Sequence, residues 1–591
     1  MDSGPGTAHR AVIETADLSW RDGVPFSREF GDIYHSADGA GETQRVFIEP
    51  SNLAEMAGTA AAAGTTLRVG ELGFGTGLNF AVAAALALRH DCRLHYVGFD
   101  AHPVDPKNFR TIAANRRAHL SIYGQLERLY PPMLPGWHRR VLAEGRIWLS
   151  LYWGDAASGL RDLVGRQRQP FDAWFLDGFA PARNPEMWRD DLLRLVARLA
   201  ARGTAVATFT AAGHVRRCLE AAGFQMRRVD QRPRKRESLA GVYTREGLKR
   251  EPEPRSVTVA GAGIAGAGIA RHLAERGITV SVYDPAPAIA SGASGIPAML
   301  LHPRLLGDRS RDAAWRAHAY AYSQAWASRF PGFIESGVVQ GRGPNLDRDK
   351  LQRIADAHAG SGLVRRLTRD EAAAVSGWDF DGNALYFPRA GIVEPPLLVR
   401  SLLDHPRISV RLGLGAPSGA RPMVLACAGA ARSYAPARFL EIVDVHGQVD
   451  IVTMEARPHL AVVGDGYLAP TGQGVVAGAT FEHRAWPAHK ATAHNLRTLE
   501  GRRHRWIARV RSTRTIASDR TPIIGELEPG LLVTTAHGSM GMVSAPMAAA
   551  IVASRLTGDF APLEPALETL IEPGRFRQRQ ARRGYRLGAA E

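Results

Sequence analysis

The sequence predicts an α/β protein built from two doubly wound units, and three observations carry that prediction. A glycine-rich loop between an apolar strand pattern and an apolar helix pattern occurs twice, in LRVGELGFGTGLNFAVAAALAL (67–88) and in SVTVAGAGIAGAGIARHLAERG (256–277). Acidic residues close the strand patterns that follow each loop. Between the two lies GLKREPEPRSV (247–257), a polar, proline-interrupted stretch with the composition of a domain boundary.

Size and composition bound the reading. The 591 residues are too many for one core, and suggest about three or four folding units. An apolar fraction of 45% and a charged fraction of 22% describe an ordinary globular chain. LNFAVAAALAL is the longest apolar candidate and falls short of a membrane span, and MDSGPGTAHRAVIETADLSW has no apolar signal core. A cytoplasmic protein with no membrane segment is therefore expected, and a monomer is the expected state. Cys92, Cys218 and Cys427 are widely spaced and lack metal-ligand spacing, so reduced thiols and no metal are expected. The formal charge of +16 favours a polyanionic partner. RRVDQRPRKRE (227–237) and RFRQRQARRGYR (575–586) concentrate that charge, as nucleic-acid contacts or as solvated surface.

The second loop has the logic of dinucleotide binding. Gly261, Gly263 and Gly266 stand in G-x-G-x-x-G spacing, where glycines admit a pyrophosphate to the backbone and to a helix N-terminus. Asp284 closes the next strand, ITVSVYD, where an acid would hold the ribose.

The first loop differs. Glu71, Gly73, Gly75 and Gly77 alternate, and strand patterns then end at Asp100, Asp155 and Asp177. Acids in register with a glycine loop suit a ligand carrying a ribose, an adenine amine and a sulfonium cation, and S-adenosylmethionine is such a ligand. Each acid, taken singly, is equally suited to capping a helix.

Four segments in order, ELGFGTGLNF, DAWFLDGFAPARNPEMW, ATFTAAGHVRR and PRKRE, resemble the methyltransferase half of the bifunctional tRNA 5-methylaminomethyl-2-thiouridine biosynthesis family. VPFSREFGDIYHS resembles the family's opening segment, and the chain after the linker resembles its flavin-dependent half, of the glycine/D-amino-acid oxidase family. The resemblance covers nearly the whole chain. It implies a Rossmann-like class I methyltransferase fold over 1–246, a linker at 247–256, and an FAD-binding Rossmann-type domain over 257–591. The last is expected to carry a mixed α+β substrate lobe, as in D-amino-acid oxidase, over roughly 310–510.

The implied activity remodels the wobble uridine of tRNA in two steps, with FAD and S-adenosylmethionine as cofactors. The flavin half removes the carboxymethyl part of a 5-carboxymethylaminomethyl group, and the other half methylates the amine left behind. Asp177 is placed to accept the amine proton. Asp100 is expected on the donor's ribose and Asp155 near its adenine. Phe179 is expected to stack on the base or simply to pack, and Pro181 to stiffen the loop. Tyr34 either closes the donor site or is structural. Arg234, Lys235 and Arg236 either bind RNA phosphate or edge the sheet. In the flavin half, Ala293 and Ser294 belong to a small-residue turn beside the cofactor, and VLACAGAA (424–431) reads as a returning strand of the cofactor domain. Gly538, Ser539, Gly541 and Met542 open a helix aimed at the flavin. Arg514 corresponds to the carboxylate-binding arginine of glycine-oxidase relatives, with a surface or phosphate role as the alternative. Two other readings stand beside this one: a small-molecule amine oxidase fused to an unrelated methyltransferase, and a tRNA-binding scaffold with one inactive half.

Overall fold

LRVGEL folds as the strand Thr66–Leu72 with every residue buried, the charged Arg68 and Glu71 included, because a central parallel strand is covered on both faces. The structure is a computed structural model that describes residues 12–36, 38–232 and 237–584. By internal contacts the chain divides into two compact units, Met1–Glu253 with Thr557–Glu564, and Pro254–Leu556 with Pro565–Glu591. The division at Glu253 falls inside the polar linker.

The first unit is built on an eight-stranded sheet. Its order is Phe224–Asp230, Glu237–Tyr243, Ala200–Thr208, Phe171–Leu176, Thr66–Leu72, Arg93–Asp100, Ile147–Trp153, Gly136–Leu142. The five strands from Ala200–Thr208 to Ile147–Trp153 are parallel, and antiparallel strands finish both edges. The chain first builds outward from Thr66–Leu72 through Arg93–Asp100, then crosses to Phe171–Leu176 on its other side. That reversal is the switch point at which an open α/β sheet leaves a crevice at its carboxyl ends. Asp177 N donates to Leu72 O at 3.0 Å, and Gly73 N to Phe99 O at 3.1 Å, fixing the three loops that border the crevice.

The expectation that all of 257–591 belongs to the second unit is corrected for Thr557–Glu564. Arg68 is 1% exposed inside the central strand, and its Nε donates to Asp559 Oδ1 at 3.0 Å. Burial works against the Arg68 charge, but Asp559 and Glu253 hold its guanidinium above the ordinary value. Phe560 lies 4.5 Å from the Trp137 ring and 5.7 Å from that of His95, inside the unit's apolar core. Arg139 Nη2 donates to Phe560 O at 2.9 Å, so main-chain groups of the segment also have partners.

The second unit has two large sheets. In the first, Ile408–Leu412, Thr279–Asp284, Ser256–Ala260, Met423–Leu425 and Leu531–Thr535 are parallel, with antiparallel Ile523–Glu528 at the edge. Met423–Leu425 is the strand expected from VLACAGAA, paired directly with the strand that precedes the Gly261 loop. The other sheet has eight strands drawn from 338–517, among them the long pair Ile442–Met454 and His504–Ala517, with the latter at one edge.

LNFAVAAALAL is not the longest apolar helix. Gly538–Thr557 runs 20 residues at a mean hydropathy of 1.3 and is 78% buried within the protein, the behaviour of a core helix. The terminal basic helix Gly574–Arg582 is tied down internally. Arg575 pairs with Asp519 at 2.9 Å, and Arg579 reaches Glu441 at 3.2 Å and Asp519 at 2.9 Å. Of the two open readings of that segment, neither describes these two arginines, which hold the helix to its own unit.

Candidate functional site

The Gly73 loop runs under a cavity of about 640 Å³ at the carboxyl ends of the first unit's strands. Tyr34, Gly75, Asp100, Asp155, Asp177 and Phe179 are among its lining residues. Glycine is required at two points of the loop. Gly73 has φ +83°, and a Cβ there would lie 2.9 Å from Asp177 O. At Gly75, φ is +52° and a Cβ would lie 3.1 Å from the Tyr34 ring.

The acids divide by what they hold. Asp100 accepts from Gly75 N at 2.7 Å and from His102 N at 3.0 Å, so it clamps the loop while facing the cavity. Burial pushes its carboxyl above the ordinary range, and these two backbone bonds counter that. Asp155 caps the helix Ala156–Arg166 by accepting from Ser158 N at 2.8 Å, yet it also lines the cavity. Asp177 accepts from Gly178 N at 2.8 Å and from Asn79 Nδ2 at 2.7 Å.

Two expected cofactor residues stand back from the cavity. Glu71 is 1% exposed and accepts from Asn79 Nδ2 at 2.8 Å, so any effect on a ligand passes through Asn79. Burial, then the nearby Asp177, hold the Glu71 carboxyl well above its ordinary value. Gly77 begins the helix Leu78–Arg89 in the left-handed region at φ +73°, and a Cβ there would meet the Phe74 ring at 2.9 Å. Its place is the turn, where a side chain would break strand-to-helix packing.

The aromatic loop is packed. Phe30 stacks on Phe179 with centroids 4.5 Å apart, and Tyr34 meets it edge-on at 5.3 Å. Phe30 occupies one face of the ring, so at most the opposite face is open to a base. Burial, then Asp100 and Glu29, raise the Tyr34 hydroxyl above its ordinary value. Pro181 does not line the cavity. It follows Ala180, whose carbonyl accepts from Arg183 N at 2.7 Å, and so stiffens a turn as proline does at its second position. Arg234, Lys235 and Arg236 lie outside the described residues. Sequence reasoning missed Asn79. Its signal was present: one amide near the start of an otherwise apolar helix.

In the second unit, Gly261 has φ +115° and Gly266 abuts it so closely that a Cβ would fall 1.8 Å from Gly261 O. Strand and helix thus approach as only glycine permits. Asp284 accepts from Ala262 N at 2.8 Å and Ala286 N at 2.9 Å, and the buried Ser294 hydroxyl accepts from Ile264 N at 3.1 Å. Gly263 is the N-cap of the helix Ile264–Glu275 and has no side chain of its own to cap it. Ala293 opens the short turn Ala293–Gly295 that presents Ser294.

Arg514 and Ser539 come together in the second unit. Arg514 Nη1 donates to Ser539 Oγ at 2.9 Å and Nη2 to Thr480 O at 3.0 Å. Gly538 bends at φ +56° before the turn Gly538–Met540, and Gly541 opens the following helix. Met542 is corrected: its side chain is 2% exposed and belongs to the core, leaving only its backbone for a ligand. His537 links Thr534 and Ser544, each at 2.8 Å, and burial pushes its imidazole down to about 4.

Both sites fit their expected ligands in donor chemistry. A cavity of about 640 Å³ walled by carboxylates suits a cationic donor of cofactor size. A glycine cradle opening a helix suits a pyrophosphate. Among the described residues, no group of three or more His, Cys, Asp or Glu is placed to hold a metal.

Comparisons with known proteins agree with this division. Residues 119–244 match the S-adenosyl-L-methionine-dependent methyltransferase model, and residues 256–555 match the FAD-dependent oxidoreductase model. The tRNA 5-methylaminomethyl-2-thiouridine biosynthesis bifunctional protein of Chromobacterium violaceum is 33% identical, covering 95% of this chain and 97% of its own. That of Thiobacillus denitrificans is 32% identical, covering 96% and 98%. Glycine oxidase from Geobacillus kaustophilus, a solved structure, aligns with 52% of this chain and 96% of its own, at 20% identity and a TM-score of 0.44.

Fold, sites and matches define a fused enzyme, an S-adenosylmethionine-dependent methyltransferase followed by an FAD-dependent oxidoreductase. Full-length coverage then fixes the family. The chain belongs to MnmC, the tRNA 5-methylaminomethyl-2-thiouridine biosynthesis bifunctional proteins.

Proposed function

We propose that this chain converts a 5-carboxymethylaminomethyl wobble uridine of tRNA to the 5-methylaminomethyl form, in two steps. The observation that carries the reading is Asp177, which lines a cofactor-sized cavity with a stiff aromatic loop after it. A bound flavin would supply the oxidant, a two-electron acceptor for one hydride from the carboxymethyl methylene as the amine nitrogen gives up its proton, and bound S-adenosylmethionine would supply an electrophilic methyl. The C–N bond oxidised in the first step is then cleaved by water, releasing a two-carbon oxo acid and leaving a primary amine.

Arg514 grips the substrate carboxylate, since a guanidinium fork offers two donors to two oxygens. Ser539 Oγ and Thr480 O hold the fork in place. His537, neutral at physiological pH, pins the loop ahead of the helix Gly541–Thr557 without adding charge. In the second step Asp177 orients the ammonium group and accepts its proton, freeing the nitrogen lone pair for attack on the methyl. Asp100 and Asp155 face the donor's ribose and adenine, and Ser294, Gly261, Gly263, Gly266 and Asp284 serve the flavin's dinucleotide part.

Nucleoside mass analysis of tRNA incubated with Asp177→Ala enzyme, FAD and S-adenosylmethionine tests the reading. The expected result is accumulation of the primary-amine nucleoside while wild type proceeds to the methylated product. Full methylation by the variant removes Asp177 from the mechanism. No change in tRNA with wild type favours the small-molecule oxidase.

A further inference from the structure

A second cavity, of about 310 Å³, adjoins the methyltransferase site. His35 and Gly39 line both cavities and so form the wall they share. That wall is tightly built: a Cβ on Gly39 would fall 2.6 Å from Leu78 Cδ2 and 3.3 Å from the His35 ring. Trp20, Asn115, Arg116 and His119 also line the second cavity, and Trp20 is 36% exposed. None of the residues assigned to S-adenosylmethionine or to the amine lines it.

Arg116 brings an uncompensated cation to this cavity. Among the described residues its guanidinium has no ion pair, and its hydrogen bonding runs to His35 alone, with Nη2 donating to Nε2 at 2.9 Å. The imidazole is fixed to receive it: His35 Nδ1 donates to Ser36 O at 2.8 Å, which leaves Nε2 as the acceptor. Burial, then the Arg116 charge, push His35 below its ordinary value, so the ring adds no charge of its own at neutral pH. The helix Pro106–Arg116 does not use the Arg116 side chain as a cap, since Ala113 O accepts from Arg117 N and Arg116 O from Leu120 N, each at 2.9 Å. The acid lining the cavity, Asp38, is paired with Arg45 at 3.2 Å. Arg116 Nη1 and Nε are thus left for a ligand, and an anion is the ligand that suits a guanidinium edge.

An exposed indole, an unpaired guanidinium and two further hydrogen-bonding side chains are the groups that recognise an unstacked nucleotide, the ring taking the base and the cation the phosphate. A cavity of about 310 Å³ is of the size that takes one small group. Under the proposed wobble-uridine activity the first cavity receives the modified uridine, which RNA joins by phosphodiesters to a neighbour on each side. We propose that the second cavity takes one neighbour of the modified uridine, its base stacked on Trp20 and its phosphate on Arg116. The assignment rests on the proposed activity. It makes the methyltransferase read the modified uridine as part of a strand, with His35 dividing the two nucleotides.

The test uses the FAD-loaded full chain, saturating S-adenosylmethionine and stem-loop RNAs bearing 5-aminomethyluridine, with both neighbours intact or with an abasic position on the 5′ or the 3′ side. Methyl transfer at varied RNA concentration reads the methyltransferase site apart from other RNA contacts. Trp20→Leu is expected to raise the half-saturating concentration of intact RNA about tenfold, the scale of one lost base stack, and to keep the maximal rate within about twofold. Trp20→Phe is expected to stay near wild type. One of the two abasic RNAs is expected to cost wild type the same factor and to cost Trp20→Leu nothing further, because both changes remove one contact. Arg116→Gln is expected to flatten the log–log salt dependence of half-saturation by about 0.7, as for one single-strand phosphate, and Arg116→Lys to restore it. Equal half-saturation of wild type on all three RNAs overturns the proposal, as do Trp20→Leu losses that multiply with both abasic changes. Wild type whose RNA binding, by fluorescence anisotropy, couples Trp20 to one abasic position yet which transfers no methyl leaves the cavity assigned and sinks the proposed activity.

Discussion

The side-chain amide of Asn79 donates to Asp177 Oδ2 at 2.7 Å, and the same nitrogen donates to Glu71 Oε1 at 2.8 Å. Thr43 Oγ1 in turn donates to Asn79 Oδ1 at 2.7 Å, which fixes the orientation of the amide. One amide therefore sets the angle of the acid proposed to take the amine proton and tethers it to a second, buried acid.

Replacing Asn79 by leucine keeps the branched heavy-atom skeleton and removes the bond. A hydrogen bond to a charged group contributes about 1.5–3 kcal/mol, so methyl transfer is expected to slow by about ten- to a hundredfold. Single-turnover methylation of aminomethyl-bearing RNA measures the rate, and calorimetry of S-adenosylmethionine binding is expected to show little change. An unaltered rate would remove Asn79 from the positioning of Asp177.

Glu71 gives the first unit a definite pH dependence. Its folded value is raised, so the folded chain holds the proton more tightly than the unfolded one. The resulting stability is fully present below the ordinary carboxylate range and is lost as pH rises toward the folded value. Glu71→Gln, neutral at every pH, is expected to gain on wild type as pH rises to 8, by a few degrees of melting temperature. Parallel melting curves for the two proteins between pH 4 and 8 would contradict this.

Asp559→Ala removes the more deeply buried of the two carboxylates that pair with Arg68, Glu253 being the other. Breaking one side of a buried pair costs about 3–5 kcal/mol, which for a unit of this size lowers its melting temperature by about 10 °C. The Asp559 carboxyl is held well below its ordinary range by Arg68 and His95 against the effect of burial, so its contribution is present above the unfolded value and lost only in strong acid. A fragment ending at Glu253 lacks this segment and is expected to melt below the corresponding transition of the full chain, as scanning calorimetry can show. Addition of a peptide spanning 557–564 is expected to raise it again.

His537 is expected to be a silent histidine through the neutral range. Its value is pushed down to about 4 by burial, so its stability contribution is present above the unfolded value near 6.5 and fades as pH falls toward 4. Imidazole NMR signals should include one that titrates near 4 and disappears in His537→Asn. Titration of that signal near 6.5 would place His537 in solvent.

Local pattern determined a good deal here. The two glycine loops, the linker, Asp100, Asp177 and the strand at Met423–Leu425 were legible because each depends on spacing along a few residues: a turn needs glycine, and a strand end needs an acid at a fixed offset. The misplacements have a common cause. Glu71, Gly77 and Met542 sit at the right sequence positions, but whether a side chain faces a cavity or the core depends on what packs against it.

Only tertiary structure decided the partners. Asn79 and Asp177 are 98 positions apart, and Arg68 and Asp559 are 491 apart, so no periodicity links them. Phe30 on Phe179, and Arg514 with Arg520 on Phe481, are likewise products of chain crossing rather than of spacing. The sequence by itself determined which chemistry the chain carries, because turn geometry and residue type are local. The fold determined which acid is oriented and which is shifted toward its protonated form, because burial and charge are summed over neighbours from distant parts of the chain.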